Sequence, residues 1–198
     1  MLFVAFLAFI AMLLIYLVRV VQFEGNGPNL FVVIPLVLAI LLTGVPEFRW
    51  QNGESKGAHL VTYVSGVTDS DLKCQRMMGA FYDYTPEEKG SLDKTNPKIV
   101  HLKYGECMSL VEWFNSDSEA EPATSEQAFA LHLLIYEAVK VGANSKISDL
   151  EAECKATARY VEVAKYAGTS TEEATRMLDM YISDWYPYMP SEVRKPCP

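Results

Sequence analysis

Two unbroken apolar runs open the chain and a polar, helix-patterned region follows. Leu2 to Val18 reads LFVAFLAFIAMLLIYLV and stops at Arg19; Leu30 to Val45 reads LFVVIPLVLAILLTGV. At about 1.5 Å per residue each run gives roughly 25 Å of helix, and flanking residues extend both toward the ~30 Å of a hydrocarbon core. Val20 and Val21 lengthen the first, and Phe48 and Trp50 follow the second, where Trp50 suits an interface. Gly25, Asn26, Gly27 and Pro28 lie between the runs and supply turn chemistry. The pattern predicts a transmembrane helical hairpin over residues 1–50, with spans at about 2–21 and 30–46. Pro35, one turn into the second run, is expected to kink it. A cleaved signal peptide fits less well, because no basic n-region precedes the first run and a second apolar run follows it. Two buried helices of a soluble protein would have to be apolar on every face.

Beyond residue 50 the periodicity changes. Ala58 to Val67 carries β-branched residues and suggests a short strand or a spacer. Asp71 to Tyr82 is expected to form a short helix carrying Cys74. Residues 85–97 are expected to form a polar connection, and Ile99 to Tyr104 a short strand. Glu106 to Phe114 places Leu110, Val111, Trp113 and Phe114 at helical spacing, and Asn115 to Pro122 reads as an acidic loop. Three capping boxes then start three helices: Thr124–Gln127, Ser148–Glu151 and Ser170–Glu173. The first runs to about Val141, stopped by Gly142; the second ends near Ala167, before Gly168; the third ends near Trp185, before Pro187 and Pro190. The expected fold class is mainly α with little strand, a membrane hairpin followed by one small domain, 51–198.

Charge sharpens this division. Between Met1 and Val45 only Arg19 and Glu24 are charged, whereas the remainder holds 16 Lys/Arg against 24 Asp/Glu. So few cations cannot assemble a basic face, which argues against a nucleic-acid partner. The expected partners are the lipid bilayer and other membrane or envelope proteins. Arg19 in the short connection favours both termini outside, and Arg49 argues the reverse, so charge leaves the topology open. The four cysteines, Cys74, Cys107, Cys154 and Cys197, weigh more. They form no Cys-x-x-Cys pair, and two disulfides in an oxidising compartment are the simplest reading, against four reduced buried thiols. Of three possible connectivities, Cys74–Cys107 with Cys154–Cys197 is preferred, because the second bridge would pin the Pro-rich tail to a helix. The protein is therefore expected in the cell membrane, multi-pass, with its C-terminal domain extracytoplasmic.

Candidate chemistry centres on Ala130-Leu-His132-Leu-Leu-Ile-Tyr136-Glu137-Ala-Val-Lys140 and on Ser148-Asp149-Leu-Glu151-Ala-Glu153-Cys154. With Cys107-x-x-Leu110-x-x-Trp113, Tyr186-Pro187 and Cys197, this arrangement resembles a family of small actinobacterial, or actinophage, zinc metallopeptidases over roughly Glu106 to Cys197. In that family Ala-Leu-His leads into His-Glu-x-x-His, and an Asn-Glu-Ala-x-x-Glu-Cys segment follows. The resemblance implies a zincin-like helical domain in which Glu137 holds the general-base position and Asp149 a glutamate position. Histidines at i and i+4 converge on one ion, and the Glu between them acts on metal-bound water. Here Tyr136 and Lys140 stand at the two histidine positions. A protonated Lys cannot ligate zinc, and a phenol is a poor ligand near neutral pH.

The expected protein is thus a catalytically inactive metallopeptidase-like module with no metal and no cofactor, serving an interaction or accessory role in a membrane or envelope assembly. Lys140 would take the place of the metal's charge, pairing with Asp149, Glu153 or Glu137. A divergent metallohydrolase using His132, Asp149 and Glu153 around an ion, with Glu137 as base, is the alternative; a plain structural subunit is the third. Each residue also has an ordinary role. His132 and Tyr136 suit a packed core, Glu137 a buried partner of Lys140, Asp149 a first helical turn, and Glu151 and Glu153 a solvated face. The aromatic segment Trp185 to Pro190 suits packing over the core or a partner-binding patch. No Gly-x-Ser-x-Gly, phosphate loop or dinucleotide fingerprint is present.

Overall fold

The computed structural model describes residues 2–20, 29–76, 89–116, 121–195 and 197. The chain divides into two compact units, Met1–Gln51 and Asn52–Pro198. Among the described residues the protein is mainly helical, with three short strands.

In the first unit, α1 spans Leu2–Arg19 and the long helix α2, Leu30–Ser65, begins. Asn29 caps α2: its side-chain oxygen accepts from the Phe31 backbone N–H at 3.0 Å. The two helices touch near both ends of α1. The Tyr16 hydroxyl accepts from Asn29 N–H at 2.8 Å, and a Cβ at Gly44 would lie 2.6 Å from the Phe6 ring. Large apolar side chains, among them Ile15, Phe31, Leu42 and Phe48, are exposed. Among the described residues one helix, Phe31–Ser65, is long and apolar enough to cross a membrane; Val4–Arg19 is a shorter apolar helix. The expectation of two full spans is therefore met by one. The connecting segment 21–28 lies outside the described residues.

In the second unit α2 continues to Ser65 and replaces the strand or spacer expected at 58–67. Val61, Thr62 and Val64 favour strands by type, but burial follows positions 53, 57, 60, 61 and 64, which is one face of a helix. Tertiary packing on that face overrides propensity. The face packs closely on Val111 and Leu72: a Cβ at Gly53 would lie 2.5 Å from Val111, and one at Gly57 would meet Leu72.

The strands β1 (Asp71–Cys74), β2 (Gly90–Leu92) and β3 (Ile99–Leu102) form a sheet of order β1-β3-β2. β1 runs parallel to β3 with Asp71 opposite Ile99; β2 runs antiparallel with Leu92 opposite Val100. This corrects two expectations. The helix predicted from Asp71 begins as a strand, because Leu72 and Cys74 alternate with exposed Asp71 and Lys73. The polar connection holds β2, and Asp93 shapes the turn after it, accepting from Thr95 N, Thr95 Oγ1, Asn96 N and His101 Nε2. Residues 77–88, including the rest of that predicted helix, lie outside the described residues, as do 117–120 of the acidic loop.

The strand expected at Ile99 and the four later helices are present. α3 is Tyr104–Asn115, α4 Ser125–Gly142, α5 Asp149–Tyr166 and α6 Thr171–Asp184. Thr124 and Gln127 form a full reciprocal capping box. Ser148 and Ser170 cap α5 and α6 by accepting from the backbones of Glu151 and Glu173. Glu173 turns away from its own cap, accepting from Ala123 N–H at 2.7 Å and pairing with Arg176. α4 ends at Gly142, close to the expected boundary, and a Cβ there would lie 2.7 Å from the Ser65 carbonyl oxygen. The reversal comes at Asn144 and Ser145, both at positive φ. α4 is the central element, packed against α3, α5, α6, β2 and β3, and eleven of its 18 residues are buried.

Cys74 pairs with Cys107 and Cys154 with Cys197, the preferred connectivity. The first bridge joins β1 to α3 and the second joins α5 to the tail. After α6 the tail forms a 3-10 turn, Tyr186–Tyr188, so Pro187 ends the α-helix without ending regular structure.

Candidate functional site

α4 and α5 run antiparallel, which sets His132 beside Glu153 and, one turn on, Tyr136 beside Asp149. Small residues at Ala128, Ala138, Ala152 and Ala156, all fully buried, favour close approach of the two helices. His132, Tyr136 and Lys140 recur every four residues and so share one face of α4.

The inner layer is a buried polar network. His132 Nε2 lies 3.0 Å from Glu153 Oε2, and each side chain is only 2 % exposed. Tyr181 Oη donates to Glu153 Oε1 at 2.6 Å, and Thr157 Oγ1 donates to the same oxygen at 3.3 Å. The Tyr181 ring stacks on the imidazole with centroids 3.6 Å apart. Among the described residues, His132 Nδ1 is buried without a hydrogen-bond partner. Burial pushes the Glu153 carboxyl upward, but the bond and charge of His132, with the Tyr181 and Thr157 hydroxyls, hold it below the ordinary glutamate value. Burial first, and the bond to Glu153 second, push the Tyr181 phenol well above its usual value.

The outer layer is more exposed. Tyr136 Oη donates to Asp149 Oδ1 at 2.6 Å. Lys140 Nζ lies 3.5 Å from Asp149 Oδ1, 3.9 Å from Glu137 Oε2 and 5.0 Å from the centre of the Tyr136 ring. Glu137 is buried, whereas the Asp149 side chain is 65 % exposed. Burial, followed by the bond to Asp149, raises the Tyr136 phenol.

The candidate residues therefore fall into two groups, His132 with Glu153, and Tyr136, Lys140 and Asp149 with Glu137. Lys140 pairs with Asp149 and Glu137, two of the three carboxylates named as its candidates. Among the described residues, no group of three or more His, Cys, Asp or Glu is placed to hold a metal ion. His132, Asp149 and Glu153 thus do not form a ligand set. Glu153 is also not on a solvated face, as its place in a polar stretch suggests. It is buried, because Ala152, Ala156, Tyr160 and Val163 turn that side of α5 inward; Glu151 stays exposed and pairs with Lys155.

Three contributors were not legible beforehand. Tyr181, Thr157 and Tyr160 enter from α5 and α6, and Tyr160 Oη donates to the Ala128 carbonyl at 2.9 Å. The four-residue spacing of Met177 and Tyr181 marks a buried face of α6 but not the target of the hydroxyl. The aromatic tail packs over this region. The Trp185 indole N–H bonds to Ser125, its ring stacks on Phe129, and Lys89 sits 4.9 Å over both rings. Tyr186 meets Tyr181 edge-on, and only Tyr188 stands far out. A separate cleft of about 320 Å³, lined by Val64, Val139, Gly142, Ile147, Ala158 and Arg159 among others, contains none of the candidate residues.

Compared with protein-family models, curated proteins and solved structures, the chain matches none of them.

Proposed function

We propose that this protein is a membrane-anchored, non-catalytic accessory module whose folded domain lies outside the membrane and binds other membrane or envelope proteins. The carrying observation is that the polar groups at the motif positions engage one another. Tyr136 and Lys140 turn on Asp149, and His132 and Tyr181 turn on Glu153. Catalysis by a bound ion needs the opposite arrangement, with several bases converging on one vacant point. The reading takes the α4–α5 region as a relict of a zincin-like, metallopeptidase-like ancestor, in which an ammonium offsets carboxylate repulsion that an ion once offset. A transmembrane hairpin is supported by the exposed apolar surface of α1 and α2 and by their contacts at Tyr16–Asn29 and Phe6–Gly44. An extracytoplasmic domain is supported by the two disulfides.

The test is the metal content of the full chain, purified in detergent micelles and dialysed against micromolar zinc. Zinc at background in a protein with native near-ultraviolet dichroism is the expected result. Near-stoichiometric zinc that disappears in His132→Ala would overturn the reading and restore the divergent metallohydrolase.

A further inference from the structure

The two disulfides occupy opposite environments. Cys107 is fully buried and Cys74 nearly so, whereas Cys197 is exposed and Cys154 partly exposed. The accessible bridge fastens the chain end to α5 immediately beside Glu153. Among the described residues, the side-chain contacts that tie 185–195 to the rest of the domain are the Trp185–Ser125 bonds, the Trp185–Phe129 stack, Lys89 over the Trp185 ring and the Tyr186 edge on Tyr181, with Val193 buried. Through Tyr186 the tail meets Tyr181, which bonds to Glu153 and stacks on His132. A segment with so few anchors opens at lower cost than the helices it covers.

We propose that residues 185–197 are a redox-released strap, latched by Cys154–Cys197 over the His132–Tyr181 face and opened by a dithiol reductant. A thiolate of the reductant attacks the accessible Sγ of Cys197, and Cys154 leaves as a thiolate that takes a proton. The second thiol of the reductant then attacks the mixed disulfide and releases Cys197. The reductant ends as its own disulfide and the protein gains two thiols. Cys74–Cys107 stays closed because no thiolate reaches it in the folded domain. Release uncovers an aromatic face, Phe129 and Tyr181, with His132 stacked on Tyr181.

The test titrates the full chain in micelles with dithiothreitol, traps thiols by alkylation and maps them by mass spectrometry. The same samples are followed by backbone deuterium exchange and by diethylpyrocarbonate modification of the three histidines. Cys154 and Cys197 are expected to be alkylated at least about tenfold faster than Cys74 and Cys107. At that stage deuterium uptake should rise across residues 185–195 and the end of α6. His132 modification should rise at least about tenfold while His59 and His101 are unchanged. The double variant Cys154→Ser/Cys197→Ser should show the same exchange pattern without reductant. Opening of both bridges together would overturn the proposal. So would a tail that keeps its protection after selective reduction, or a double variant that exchanges like the oxidised protein.

Discussion

Replacing Glu153 by Leu should be among the most damaging single changes available in the folded domain. The carboxylate accepts from His132 Nε2, Tyr181 Oη and Thr157 Oγ1, and it, the imidazole and the phenol are all essentially inaccessible to solvent. Leu has similar bulk and no acceptor. It strands the His132 N–H and the Tyr181 O–H where water does not reach, at about 1–3 kcal/mol each. Together the stranded donors cost roughly 2–6 kcal/mol, a large share of the ~5–15 kcal/mol that stabilises a typical domain. Glu153→Gln keeps one carbonyl acceptor but loses the charge and turns an amide toward a donor; about half that loss is expected. The assay is urea unfolding of the full chain in micelles, followed by near-ultraviolet dichroism, which reports the stacked His132–Tyr181 and Phe129–Trp185 rings. A pH series adds a second reading. Because the folded carboxyl sits below its ordinary value, its stabilisation is complete above the unfolded value of about 4.3 and is lost as pH falls through the lower folded value. The gap between wild type and Glu153→Gln should therefore be constant near neutrality and narrow below about pH 4. A Glu153→Leu loss under about 1 kcal/mol would refute the assignment of this network as the stabilising centre of the domain.

Three further outcomes follow from the same contacts. Gly142→Ala, which ordinarily strengthens a helix by about 1 kcal/mol, should instead destabilise by ~1–3 kcal/mol in thermal unfolding, because the new Cβ meets the Ser65 backbone carbonyl. Lys140→Met should cost about 1–3 kcal/mol by removing the ammonium beside buried Glu137, whereas Lys155→Met, which breaks an exposed pair with Glu151, should cost only ~0.3–0.5 kcal/mol. Equal losses in the two would remove the distinction drawn between the sites. In a spectrophotometric titration at alkaline pH, Tyr136, Tyr160 and Tyr181 should ionise only as the domain unfolds. Burial raises all three above the usual phenol value, so their stabilisation is present below about pH 10 and is lost as pH rises. Smooth ionisation of all eleven tyrosines in a folded protein would contradict this burial.

The sequence by itself determined whatever rests on local chemistry. The long apolar runs, the three cap residues at Thr124, Ser148 and Ser170, and the helical spacing from Cys107 to Trp113 each act within a few residues, and the structure follows them. The partition of the cysteines was legible because one pairing ties the tail to a helix. Only the tertiary structure decided the rest. The second half of α2 is a helix because its buried face fits against Val111 and Leu72, contacts that no local propensity encodes. β1 is a strand because Ile99–Leu102, 28 residues further on, offers a parallel partner in register. The same holds for the candidate site. Histidine-motif spacing identified the face of α4, but whether Glu153 met an ion, water or a histidine depended on how α5 and α6 close over it. That closure is a long-range packing result: it buries Glu153 under Tyr181 and leaves Glu151, two residues away, in solvent.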